Sequence, residues 1–211
     1  MHLTLRTLFR RTTLACALSA TAMLFGTSAS AADAPAPTGV RGAITALEGN
    51  DLTVHTSKGQ DLTVRLSDDV QVRAVTLGDI SEIQQGSYIG TAAIPQADGS
   101  LKALEVHVFP PAMAGTGDGH RAFDLAKDST MTNGTVGDLK VASGRTLTLT
   151  YKGGEKQVFV PEDVPIVNLV PGDRSLLKPG VKIVLFAQKA ADGSLSAKFV
   201  SAGKDGVKPP M

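Results

Sequence analysis

Residues 41–70 read RGAITALEGNDLTVHTSKGQDLTVRLSDDV, and residues 133–164 read NGTVGDLKVASGRTLTLTYKGGEKQVFVPEDV. Set side by side, Gly42 matches Gly134, and Leu52-Thr53-Val54 matches Leu147-Thr148-Leu149. Gly59 matches Gly154, and Asp68-Asp69-Val70 matches Glu162-Asp163-Val164. Further on, Gly86 matches Gly180, and Asp98-Gly99-Ser100-Leu101 matches Asp192-Gly193-Ser194-Leu195. A spacing that stays near 94 residues over so many anchors reads as a duplicated unit.

Each copy alternates with period two. Leu52, Val54 and Thr56 take one side and Thr53 and His55 the other; Leu62, Val64 and Leu66 alternate with Thr63 and Arg65. That period, with Thr and Val enrichment, marks half-buried strands. Turns fall at Glu48-Gly49-Asn50, at Lys58-Gly59 and at Asp98-Gly99, and the acidic pairs Asp68-Asp69 and Glu162-Asp163 read as solvated turns. The stretch Leu77 to Ile83 breaks the alternation and reads as one or two helical turns. The expected fold class is all-β: two tandem small β-barrel repeats, OB-like by first choice and another small barrel or sandwich by second, with one short helix each. Repeat 1 spans 39–109, an ordered linker 110–132, repeat 2 133–202 and a C-terminal tail 203–211. Units this small bury a modest fraction of their surface, which favours an interface between the copies.

The N-terminus carries Arg6, Arg10 and Arg11, an apolar run to about Gly26, and Ala29-Ser30-Ala31. This is the pattern of a secretory signal spanning 1–31, cleaved after Ala31 or Ala32, and it places the mature protein in the periplasm. Arg10-Arg11 leaves twin-arginine export beside the general secretory route. The single cysteine, Cys16, lies within the signal, so disulfides, thiol catalysis and cysteine-held zinc are excluded from the mature chain. Loss of the three arginines turns a formal charge of +1 into −2. With that balance, no Trp and two Tyr, the chain lacks the basic, aromatic groove that nucleic acid requires. After the signal no apolar stretch reaches membrane-spanning length, so no transmembrane anchor is expected.

The linker holds the densest polar chemistry, GTGDGHRAFD at residues 115–124. Gly115, Gly117 and Gly119 lack the spacing of a phosphate-binding loop. If His120 to Ala126 forms a helical turn, His120 and Asp124 share a face and present two ligands to a divalent metal, with Asp118 or His107 completing the set. The competing reading is a clasp between the copies, in which Gly115, Gly117, Gly119, Arg121 and Phe123 shape and pack the joint. His107 and His55 alternate with apolar neighbours and are expected to face solvent. No G-x-S-x-G elbow or other catalytic constellation stands out, so the chain reads as non-catalytic.

The stretches VRGAITALEGNDLTV, FPPAMAGTGDGHRAFDL, STMTNGTV, LTLTYKGGEK, VPIVNLVPGDRSLLKPG and GKDGVKPPM resemble a bacterial periplasmic family known mainly as a domain of unknown function. The resemblance covers nearly the whole mature chain. It implies exported, β-barrel-like domains and assigns no reaction. Members tend to read Gly-His-Arg-Pro-Trp-Asp in the linker, where this chain has Ala122-Phe123 in place of Pro-Trp. Some members carry a metal-transport label, which lends the metal reading slight support. The expected function is a non-catalytic binding or scaffold protein of the envelope, docking an envelope protein on a barrel face or on the tail from Val207 to Met211. The alternative is a divalent-metal-binding accessory of envelope metal handling.

Overall fold

The structure is a computed structural model that describes residues 37–140 and 145–211. The expected signal segment and cleavage site lie outside the described residues. Among the described residues no helix is long and apolar enough to cross a membrane.

Twelve strands follow in order: β1 (Thr38–Glu48), β2 (Asp51–Thr56), β3 (Asp61–Leu77), β4 (Tyr88–Pro95), β5 (Leu101–Val108), β6 (Gly119–Ala122), β7 (Thr130–Lys140), β8 (Arg145–Tyr151), β9 (Gly154–Val160), β10 (Ile166–Pro171), β11 (Lys182–Lys189) and β12 (Leu195–Gly203). The expected helices are single 3₁₀ turns, Ile80–Glu82 and Arg174–Leu176. Each is capped alike: Asp79 Oδ1 accepts from the Ser81 N–H (2.8 Å), and Asp173 Oδ1 from the Ser175 N–H (2.7 Å). The Asp98 and Asp192 turns also match, each carboxylate accepting from the N–H two residues on, Ser100 and Ser194, at 2.9 Å.

The strands β1, β2, β3, β12 and β11 pair in sequence and return to β1, which closes a five-stranded barrel. Alternate side chains fill it, among them Val40, Ile44, Leu52, Val54, Val64, Leu66, Val72, Ile183, Leu185 and Val200. A second circuit of pairings runs β7, β8, β9, β5, β4 and back to β7. It encloses Ile89, Leu101, Val106, Val136, Leu147, Leu149, Val158 and Val160. The pairings recur along the chain. Gly42 opposite Ile183 is answered by Gly134 opposite Ile89, and Val72 opposite Val200 by Ile166 opposite Val106. Arg65 opposite Ser196 is answered by Phe159 opposite Lys102.

The boundaries expected from sequence need correction. Neither 39–109 nor 133–202 closes on itself. The barrel takes β1, β2 and β3 from the first stretch and β11 and β12 from the second, and the other circuit takes β4 and β5 with β7, β8 and β9. The described residues accordingly fall within one compact unit. The cause is β3. Asp68-Asp69 does not end the strand; it sits in a bulge, where residues 67–70 stand opposite Lys198 alone, and β3 runs on to 17 residues in all, against a usual strand of about 5–6. It leaves the barrel and carries the chain to the second circuit, and β10 pairs antiparallel with its last five residues. Glu162-Asp163, by contrast, does lie in a turn.

Around this crossing Val75, Tyr88, Phe109, Val167, Leu169 and Met211 form a third apolar cluster, with Met113, Phe123 and Val207 against it. The tail is therefore structural. Met211 is buried, and its carbonyl accepts from Arg41 Nε at 2.8 Å; Val207 packs against the same cluster, while Lys208 is exposed.

Candidate functional site

The linker does not form the expected helical turn. Gly115, Gly117 and Gly119 adopt φ of 85°, 60° and 126°, backbone that favours glycine, and they fold the chain back so that Gly119–Ala122 lies extended as β6. It pairs with Thr130–Asn133 of β7, where β8, whose pairing begins at Thr135, leaves the edge open. An unpaired edge is a liability, and covering it outweighs the helical preference of His120 to Ala126. Asp124 lies beyond the end of the strand, so no helical face joins it to His120.

The four proposed metal ligands go to different partners. His120 Nδ1 lies 2.8 Å from Thr132 Oγ1, and its ring stacks on Tyr151. Burial lowers its pKa, helped by the positive charges of Lys156 and Arg121, which would repel a metal ion as well. Asp124 accepts two hydrogen bonds from Arg41, at 2.7 and 3.0 Å, and the Arg41 bond holds its carboxyl below the usual range. Asp118 Oδ1 accepts from the Lys152 N–H at 2.7 Å, and Oδ2 is 3.4 Å from the Tyr88 hydroxyl. Burial, then the Asp118 charge, pushes Tyr88 up to about 12. His107 belongs to another cluster. Among the described residues no three His, Asp or Glu side chains gather as a metal site requires.

The linker ties strands that are far apart in sequence. Thr116 O accepts from Asn133 Nδ2 (3.0 Å) and from the Tyr88 hydroxyl (3.2 Å). Arg121 donates to Gly117 O at 2.9 Å, bracing the glycine turn. Phe123 packs its ring 5.8 Å from Phe186 of β11.

His107 does not face solvent. It is 3% exposed, and Glu105 beside it is 0% exposed. Its Nδ1 lies 3.0 Å from Glu105 Oε2, while Glu105 Oε1 accepts from the Ala92 N–H at 2.7 Å. The His107 ring meets Phe109 edge-on at 5.0 Å. Period-two alternation separates two faces of β5 but does not say that both are covered. His55 is exposed as expected and pairs with Asp61. A Cβ on Gly90 would sit 2.1 Å from His107 Nε2 and 2.6 Å from Asn133 Oδ1, so this cluster closes over a bare backbone. Among the described residues Asn133 Oδ1 has no hydrogen-bond partner. The glycine, the glutamate and the asparagine are separated in sequence, and no motif joins them.

A second feature absent from the sequence reading lies on the outer wall of the barrel. Arg41, Val184, Ser201 and Arg73 stand in one row across β1, β11, β12 and β3. In the next row Gly39 pairs with Phe186, and Phe199 with Gln71. Phe186 is 40% exposed and Phe199 51%. Each ring lies beside an arginine: Arg41 is 5.8 Å from the centroid of Phe186, and Arg73 is 4.9 Å from that of Phe199. In the second circuit the residues 94 positions earlier are Ala92 and Glu105, which pair with each other and are both 0% exposed.

No family model, no curated protein and no solved structure matches this chain.

Proposed function

We propose that the mature chain is a non-catalytic periplasmic binding or scaffold protein that docks an envelope protein on the aromatic–arginine wall of its barrel. One observation carries this reading. Phe186 and Phe199 stand exposed at positions whose counterparts, Ala92 and Glu105, are completely covered. Large apolar side chains gathered on one wall and interleaved with arginine are the composition of interface centres. The linker supports the reading from the other side. Its polar groups bond to one another, to backbone and to Arg41, which suits a clasp. The recurrence of pairings at 92–94 residues supports a duplicated OB-like unit whose copies exchange strands, and the signal-like N-terminus supports export. The resemblance to exported domains of unknown function rests on the linker and tail motifs.

The test is a photo-crosslinking residue placed at Phe199 in the exported chain. It gives a discrete protein adduct, and the same residue at the comparably exposed Phe159 gives none. Equal labelling at both positions, or none at either, would sink the reading.

A further inference from the structure

The wall contains the same arginine–phenylalanine pair twice, once complete and once open. At the complete one, Arg41 lies beside two rings that also pack on each other, 5.5 Å from the Phe123 centroid and 5.8 Å from that of Phe186. Its terminal nitrogens hold both oxygens of Asp124, and its Nε donates to the Met211 carbonyl. The adjacent linker residues Phe123 and Asp124 thus supply a ring and a carboxylate to one guanidinium.

The open one lies three strand spacings away, about 14 Å. Arg73 stacks on Phe199 at 4.9 Å, and among the described residues no second ring covers it. Among the described residues Arg41, Arg65, Arg121, Arg145 and Arg174 each donate at least one side-chain hydrogen bond. Arg73 donates none and has no carboxylate within salt-bridge reach. It is half-buried, and burial lowers its pKa. A partly desolvated guanidinium with free donors is costly unless a partner satisfies it, and a carboxylate is the group whose geometry its planar fork matches.

We propose that Arg73 and Phe199 receive an aromatic–acidic pair of adjacent residues from an extended segment of a partner protein, bound as Phe123 and Asp124 are bound at Arg41. This rests on the docking reading above and names the chemistry of the partner. Val184 and Ser201 separate the two arginines along their row, so a segment reaching Arg73 lies on the same wall as the linker.

The experiment titrates isotope-labelled mature protein with an end-blocked peptide of the linker sequence Gly-His-Arg-Ala-Phe-Asp-Leu, followed by NMR. Shift changes centre on Arg73, Phe199 and Ser201 and saturate. A peptide with Asn for its Asp, or Ala for its Phe, binds about tenfold more weakly. Phe199→Ser and Arg73→Ala lose the response, and Arg73→Lys keeps part of it, since lysine preserves charge but not the fork. Should Arg73→Ala fail to fold, Phe199→Ser alone decides. No saturable shift at these residues overturns the proposal. So does equal binding of the Asn peptide, or equal competition by a sulfated polysaccharide, which would make the site a general anion patch. A Phe199 crosslink in cells with no peptide response would leave the docking wall standing and remove this partner chemistry.

Discussion

Val75 of β3 and Leu169 of β10 face each other across an antiparallel ladder although they lie 94 positions apart in the sequence. Around them Ala74 meets Val170 and Thr76 meets Asn168, pairs that exchange under the same 94-residue spacing. Val75 and Leu169 are both buried, at the place where the chain crosses from each strand circuit into the other.

Because the strands are exchanged there, the two circuits unfold together. Leu169→Ala lowers stability by about 2–5 kcal/mol, as a large-to-small change in a packed core does. Denaturant unfolding of the mature protein shows one transition before and after the change. Two separate transitions would mean that the crossing does not couple the halves.

The Glu105–His107 pair is buried without relief from solvent. Glu105→Ala leaves His107 and the Ala92 N–H without their partner and costs about 3–5 kcal/mol. The exposed His55–Asp61 pair is the contrast, since Asp61→Ala costs less than about 1 kcal/mol. Chemical denaturation of both variants under one condition checks the ranking.

Gly90 is required by space, not by backbone angle. Gly90→Ala drives a methyl into His107 and Asn133 and destabilises by about 1–3 kcal/mol. At Gly137 the nearest atoms to a Cβ are 3.5 and 3.7 Å away, so Gly137→Ala is tolerated. The difference between their melting temperatures is the readout.

His120 makes stability depend on pH in a definite direction. Its folded pKa lies below the ordinary value because burial and nearby cations disfavour the charged ring. The unfolded chain therefore takes up the proton first as pH falls. The contribution is fully present above the unfolded value, about 6.5, and is lost as pH drops through the folded one. Melting temperature falls between pH 7.5 and pH 5, and His120→Gln flattens that slope. Asp124, also lowered, acts further down: its contribution is present above about pH 4 and fades below, a loss that Asp124→Asn removes. A His120→Gln profile parallel to wild type would refute the first assignment.

In the linker His120, Asp118 and Asp124 each bond to a different partner. Thermal unfolding of metal-stripped mature protein is unchanged by zinc, copper, nickel, manganese or calcium. A ligand at about 100 times its dissociation constant would add roughly 2.7 kcal/mol, so a shift abolished by His120→Ala would restore the metal reading.

The sequence by itself determined the local structure. Alternation in 52–56 and 62–66 produced strands, the Asp–X–Ser turns at Asp98 and Asp192 formed as their side-chain bonds dictate, and the glycines of 115–119 bent the linker. These features depend on neighbours within a few residues, whose preferences are written in adjacent positions. Tertiary structure decided the rest. Asp68-Asp69 looks like a turn, yet it is a bulge within one strand, because distant β12 pairs with β3 on both sides of that point. His120 belongs to a strand because an open edge of β7 was there to be covered. His107 and Glu105 alternate like surface residues and are buried, because period two divides a strand into two faces without saying what lies against each. Arg73 has the sequence of any strand arginine. That it stacks on Phe199 with its donors free follows from the register of β3 against β12, a pairing between segments more than a hundred residues apart.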